Sequence, residues 1–204
     1  MKVIAIEGPS YAGKSTAIDH LRRRGIEELA FVSDCYVQHI ARCEDIPPAR
    51  PASESAQLAS FEMFMGIEHA RVRAALASAK PVVIIDRSVD TLLAHAHALD
   101  ATLGYAVHHQ LRDRLQELPF LGPDHTLYLD VPDEVLRLRR KLAGHTATEP
   151  DYLLHEPVFL AHARDYFVSG TRPPVSREVT VVPADTSPTT VAHAVESLVT
   201  FWTR

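Results

Sequence analysis

Asparagine is absent from the 204 residues, and lysine occurs only at Lys2, Lys14, Lys80 and Lys141, against seventeen arginines. Without asparagine the chain cannot carry the Asn-Lys-x-Asp element with which regulatory GTPases read guanine. Cysteine is nearly missing too. Cys35 and Cys43 stand eight residues apart, which is neither a disulfide framework nor a zinc-ligand spacing, and a reducing cytoplasm is the expected compartment. No apolar run approaches the ~20 residues of a membrane-spanning helix. The opening apolar run meets charge at Glu7, too early for a secretory leader. A formal net charge of −5 disfavours a binder of nucleic acid polymers, whose surface is normally basic. It does not exclude small anions, for which one basic pocket is enough. The expected partner is therefore a small molecule, not a nucleic acid or a membrane.

What is present reads as one α/β domain over residues 1–204, with 46% apolar residues to build a core. Val3 to Ile6, Ala30 to Val32, Val82 to Ile85, Thr126 to Leu129 and Val179 to Val182 are short, apolar and rich in β-branched residues. Each reads as a fully buried strand. Helical patterns lie between them: Ser15 to Arg24, stopped by Gly25; Glu54 to Ser78; Val89 to Leu99; Tyr105 to Leu118; Asp133 to Gly144; Tyr152 to Val168; and from Pro188 onward. Such alternation predicts a parallel sheet covered by helices on both faces. Ligands then bind beyond the carboxyl ends of the strands. Gly8 to Ser15, Asp34, Asp86, Arg87 and Asp130 all follow predicted strands and are expected along one edge.

The most specific feature is Gly8-Pro9-Ser10-Tyr11-Ala12-Gly13-Lys14-Ser15-Thr16, which fits G-x-x-x-x-G-K-[ST] between a strand and a helix. Glycines let successive backbone N–H groups turn inward toward phosphate oxygens, and the helix N-terminus adds partial positive charge. Lys14 neutralises the outer phosphates, and the Ser15 hydroxyl is a ligand for Mg²⁺. ATP and Mg²⁺ are the expected cofactors. Guanine-reading GTPases are already excluded, and ring-forming ATPases are larger, so a small kinase is the remaining class.

"KPVVIIDRSVD", Lys80 to Asp90, resembles the thymidylate kinase and deoxynucleoside kinase superfamily, where Glu-Arg-Ser or Asp-Arg-Tyr follows this strand; here it is Asp86-Arg87-Ser88. "YLDVPDEVLRLRRKLAG" resembles the segment leading into the superfamily's arginine-bearing lid, and "VPADTSPTTVAHAV" its last strand and adenine-side loop. The resemblance spans nearly the whole chain. It implies a P-loop three-layer αβα sandwich with a five-stranded parallel sheet and a helical lid at about 137–152. Asp86 would hold Mg²⁺ through water, and Arg87 would meet the phosphates or the acceptor oxygen. Arg137, Arg139, Arg140 and Lys141 would close over the site, with Arg139 and Lys141 aligning best with lid arginines. Ala184, Asp185 and Thr186 would lie against adenine.

On the acceptor side, Asp34 falls where deoxynucleoside kinases carry a general base, without the arginine that thymidylate kinases use for an acceptor phosphate. The helix from Glu54 occupies the substrate-reading position. One alignment pairs Phe61 with an aromatic wall, Glu62 with the base-reading Gln and His69 with an arginine; another uses Arg71. Phe61, Phe64 and Met65 could stack on a ring or pack in the core. Among twelve histidines, His95/His97 and His108/His109 lack the i,i+4 spacing of paired helical ligands and read as surface or lid-adjacent. The expected activity is transfer of the γ-phosphoryl of ATP to a nucleoside or nucleoside monophosphate. A kinase of another hydroxyl metabolite and a non-catalytic nucleotide-binding module are the alternatives. Superfamily members often dimerise through helices beside the acceptor pocket, which leaves a homodimer open.

Overall fold

The structure, a computed structural model, describes residues 1–32, 36, 47–145, 152–170 and 173–203. Five strands form one parallel sheet in the order β2-β3-β1-β4-β5. They are β1 (Lys2–Glu7), β2 (Leu29–Val32), β3 (Val82–Asp86), β4 (His125–Asp130) and β5 (Glu178–Pro183). The helices are α1 (Lys14–Arg24), α2 (Glu54–Ala77), α3 (Val89–Leu103), α4 (His108–Leu115), α5 (Asp133–Leu142), α6 (Pro157–Val168) and α7 (Pro188–Thr203). This is the expected three-layer sandwich.

The period of two along β1 divides the core. Ile4 and Ile6 join Ala17, Ile18 and Leu21 of α1 and Val191, Val195 and Val199 of α7 on one face. Val3 and Ala5 join Val83, Ile85 and Ala75 of α2 on the other. A strand buried on both faces must be apolar at every position, which is why these segments read as continuous runs without alternation. The register aligns the strand ends: Ile6 sits beside Asp86, and Glu7 beside Tyr128. The P-loop and the Asp86-Arg87 pair therefore emerge together.

Several boundaries moved for local reasons. The helix expected to stop at Leu99 runs to Leu103, where Gly104 caps it in the left-handed conformation. The next helix starts late, at His108, because the Asp100 carboxylate accepts from Val107 N at 2.8 Å and His108 N at 3.3 Å. The helix expected from Tyr152 is instead a short 3₁₀ turn, Leu153–His155, followed by α6. Pro157 explains the break: it holds Glu156 extended and suits a first helical position. No helix among the described residues is long and apolar enough to cross a membrane.

Two glycines of the P-loop differ in what they require. Gly8 has φ +133°, and a Cβ there would stand 2.7 Å from the Leu129 carbonyl oxygen; Gly13 has φ +101° with open space around it. Gly8→Ala meets both strain and a backbone clash and should cost about 2–4 kcal/mol. Gly13→Ala meets strain alone and should cost less. Urea unfolding of the two variants checks the order.

Candidate active site

The loop from Gly8 to Gly13 joins β1 to α1. Gly13 is the N-cap in the left-handed conformation, no side chain among the described residues caps the helix, and its first turn carries no acidic residue. That end is thus suited to an anion. Buried Lys14 donates through Nζ to Gly8 O at 2.9 Å and Pro9 O at 2.8 Å, drawing the loop around its ammonium. Ser15 and Thr16 are exposed. Tyr11 to Thr16, Arg139, Pro188 and Val191 line a cavity of about 340 Å³.

Arg139 projects from α5 into this region. Its guanidinium donates to Tyr11 O at 3.2 Å, Ala12 O at 3.4 Å, Ala184 O at 2.8 Å and Thr186 O at 2.9 Å. One fork therefore ties the P-loop to the loop after β5; Ala184 is buried, whereas Asp185 and Thr186 are exposed. Two other cations of the expected lid are turned to solvent. Arg137 pairs with Asp133 one turn away on the exposed face at 3.0 Å, and Lys141 is exposed. Beyond α5 the chain returns to the P-loop, where the Tyr11 hydroxyl meets His145 Nδ1 at 2.8 Å. The segment 146–151 of the expected lid lies outside the described residues.

At the end of β3, Asp86 is buried and its Oδ1 has no hydrogen-bond partner among the described residues. A buried carboxylate oxygen without a partner is costly unless a cation or ordered water meets it. Together with the exposed Ser15 hydroxyl, this oxygen-only donor set suits Mg²⁺, with water completing the shell. Arg87 follows in the left-handed conformation, φ 63°. Its strained backbone is held from α2: Arg71 Nη2 donates to Asp86 O at 3.2 Å and to Arg87 O at 2.6 Å. Arg71 is itself buried, pairs with buried Glu68, and lies 5.3 Å over the Tyr36 ring, whose hydroxyl donates to Glu68 at 2.7 Å. Arg71 thus braces the strand end. Glu7 accepts from Ser88 N at 2.6 Å, Ser88 Oγ at 2.8 Å and Thr91 Oγ1 at 2.5 Å. Burial raises the Glu7 carboxyl above its ordinary range, against the opposing pull of Arg87 and of those donors.

A larger cavity, about 680 Å³, adjoins the P-loop on its other side. Glu7 to Ser10 and Arg87 form its inner end; Gln57, Ser60, Phe61 and Phe64 of α2, Leu92 and His95 of α3, Tyr128, and Phe159 and Phe167 of α6 form much of the rest. Tyr36 also contributes, while Asp34 lies outside the described residues.

Three expected acceptor residues are not in this wall. Glu62 is on the exposed face of α2, paired with Arg114 at 2.6 Å; His69 is exposed; Met65 is buried in the core beside Ile67 and Leu93. The α2 face that meets the cavity is the one carrying Phe61 and, four residues earlier, Gln57. That i,i+4 relation was the available signal for Gln57. The histidines also depart from expectation. His95 is half-buried in the cavity wall, its Nε2 donating to Ala49 O at 3.0 Å with its ring edge-on to Phe159, and His108 is buried. His109 is exposed as expected.

No protein-family model matches the chain. No curated protein matches it either. Solved structures do match. A deoxyadenosine kinase from M. mycoides with the products dCMP and a flexible dCDP bound superposes with a TM-score of 0.67 at 13% identity, covering 97% of this chain and 98% of that one. The same enzyme with bound dATP gives a TM-score of 0.63 at 14% identity, covering 97% and 99%. The fold is therefore that of the P-loop deoxynucleoside kinases, over essentially its full length.

The buried pair is the first test of this arrangement. Arg71→Met leaves Glu68 charged and unpaired in the core and should cost about 3–5 kcal/mol. Adding Glu68→Gln should recover part of that loss in urea unfolding. The second test concerns His95. Burial holds its imidazole down at about 4, against an ordinary 6.5. The unfolded chain therefore takes up this proton first as pH falls, and stability is lost between about pH 6.5 and 4, at no more than about 1.4 kcal/mol per pH unit. His95→Gln should flatten that limb of the stability–pH curve.

Proposed function

We propose that the protein is an ATP-dependent nucleoside kinase, transferring the γ-phosphoryl of ATP to a nucleoside hydroxyl. One observation carries the reading. The P-loop separates two cavities, with Tyr11 to Thr16 lining the smaller and Glu7 to Ser10 lining the larger. A phosphoryl donor on one flank and an acceptor on the other would face each other across Gly8 to Ser15, as in-line transfer requires.

In this reading the triphosphate lies along the backbone N–H groups at the start of α1, with Lys14 on its outer phosphates. Adenine lies near Ala184, Asp185 and Thr186, on the loop that Arg139 joins to the P-loop. Ser15 and Asp86 would hold Mg²⁺, which when bound supplies charge neutralisation between the phosphoryl groups. Arg87 stabilises charge developing on the transferring oxygens, and its backbone geometry is set by Arg71. Arg139 completes the basic side by shaping the cradle. Phe61 and Gln57 suit an acceptor ring, the first by stacking and the second by hydrogen bonding.

A neutral hydroxyl acceptor is favoured over a monophosphate by the charge of the larger cavity. Among the described residues its two arginines both have acidic neighbours: Arg50 pairs with Glu156 at 2.6 Å, and Arg87 interacts with Glu7. A dianionic acceptor would need unmatched positive charge there. A neutral hydroxyl instead needs a base, and Asp34 is the candidate.

A coupled kinase assay across deoxynucleosides, nucleoside monophosphates and other hydroxyl compounds tests this. We expect turnover with a nucleoside and a fall of about 10²-fold or more in Asp34→Asn, with ATP affinity retained. Preferential turnover of a monophosphate would overturn the neutral acceptor. ATP binding without turnover of any acceptor would leave a binding module in place of an enzyme.

A further inference from the structure

Remote from the larger cavity, α1 packs against α7 through Ala17, Ile18, Leu21, Val191 and Val195. At the rim of this contact His20 of α1 meets His193 and Glu196 of α7. His193 and Glu196 are three residues apart, so they occupy one face of the helix in successive turns. His20 Nε2 stands 2.7 Å from Glu196 Oε2. The His20 and His193 rings are 5.1 Å apart between centroids. One ligand atom from each residue can be chosen so that all three lie within 4.8 Å of one another.

We propose that His20, His193 and Glu196 form a zinc site that staples α1 to α7. Two imidazole nitrogens and one carboxylate oxygen are a zinc donor set, and three protein ligands leave the fourth tetrahedral position to water. Zinc–ligand bonds of about 2.0–2.2 Å place tetrahedral donors about 3.3–3.6 Å apart. The His20–Glu196 contact of 2.7 Å is shorter than that range and all three donors lie within 4.8 Å of one another, so small rotamer adjustments bring them to zinc-binding separations. The carboxylate is already oriented for monodentate binding. Its Oε1 accepts from Arg24 Nε at 2.5 Å, which leaves Oε2 on the histidine side. Such outer contacts commonly fix a ligand's direction in metal sites. The only described group of three or more His, Cys, Asp or Glu residues able to converge on one ion is this one. It shares no residue with either cavity and is independent of the kinase reading.

Zinc alone, titrated into the metal-free full chain against a chromophoric chelator at neutral pH, tests the site. The expected result is one equivalent bound, weakened at least tenfold in His193→Ala and in Glu196→Gln. His193 is exposed, so its removal should leave the metal-free protein folded with an unchanged melting temperature. Zinc should raise the melting temperature of the wild-type chain and not that of His193→Ala, because it binds only the folded arrangement. Absence of chelator-competitive binding overturns the proposal. So does one equivalent that both variants retain, which would put the ion on other histidines.

Discussion

The guanidinium of Arg71 holds together the part of the molecule where chemistry is expected. It is a buried cation, and a buried cation is costly unless its charge and donors are matched; here both terminal nitrogens find partners, while Nε has none among the described residues. Glu68 supplies the countercharge, the carbonyls of Asp86 and Arg87 accept further bonds, and the Tyr36 ring lies against its face. The result is a connection from α2 to the end of β3. Arg87 keeps a left-handed backbone there, although it is not glycine, because its carbonyl is gripped from behind. The position of the Asp86 carboxylate depends on the same bonds.

A second constraint acts across the sheet. Gly8 approaches the Leu129 carbonyl too closely for any side chain, so the P-loop rests on the end of β4. Arg139 secures the opposite end of the loop by joining Tyr11 and Ala12 to the segment after β5. Held at both ends, the loop lies between the two cavities above the sheet.

The outer wall of the larger cavity has its own anchor. Asp90, wholly buried at the start of α3, accepts from Tyr166 Oη, Val175 N, Ser176 N and Ser176 Oγ. These four donors fasten α6 and the approach to β5 to one carboxylate. Phe167 is thereby held against Tyr128, ring on ring at 4.7 Å, and both line the larger cavity. Burial pushes the Tyr166 and Tyr128 phenols up, so both stay neutral and hydrogen-bonded or packed across the working pH range.

Local chemistry was enough to read the strands, the glycine turn between β1 and α1 and the clustering of Gly8, Lys14, Asp86 and Arg87 along one edge, since period, glycine placement and strand ends are properties of neighbouring residues. The face that α2 turns toward the cavity was not readable in this way. Phe61 lies where the resemblance put it, but Glu62 points to Arg114 and Gln57 takes a place in the wall, because the rotation of a helix about its axis is set by what packs against it. His95 shows the same limit: an isolated histidine in an apolar helix becomes a cavity residue only when Ala49 and Phe159 arrive from distant parts of the chain. The bonds of Arg139 and Arg71 to backbone carbonyls were equally hidden, since carbonyl oxygens are common to every residue and leave no mark in sequence. A chain's pattern carries what neighbours along it impose; partners brought from far away are chosen by the packing of the whole.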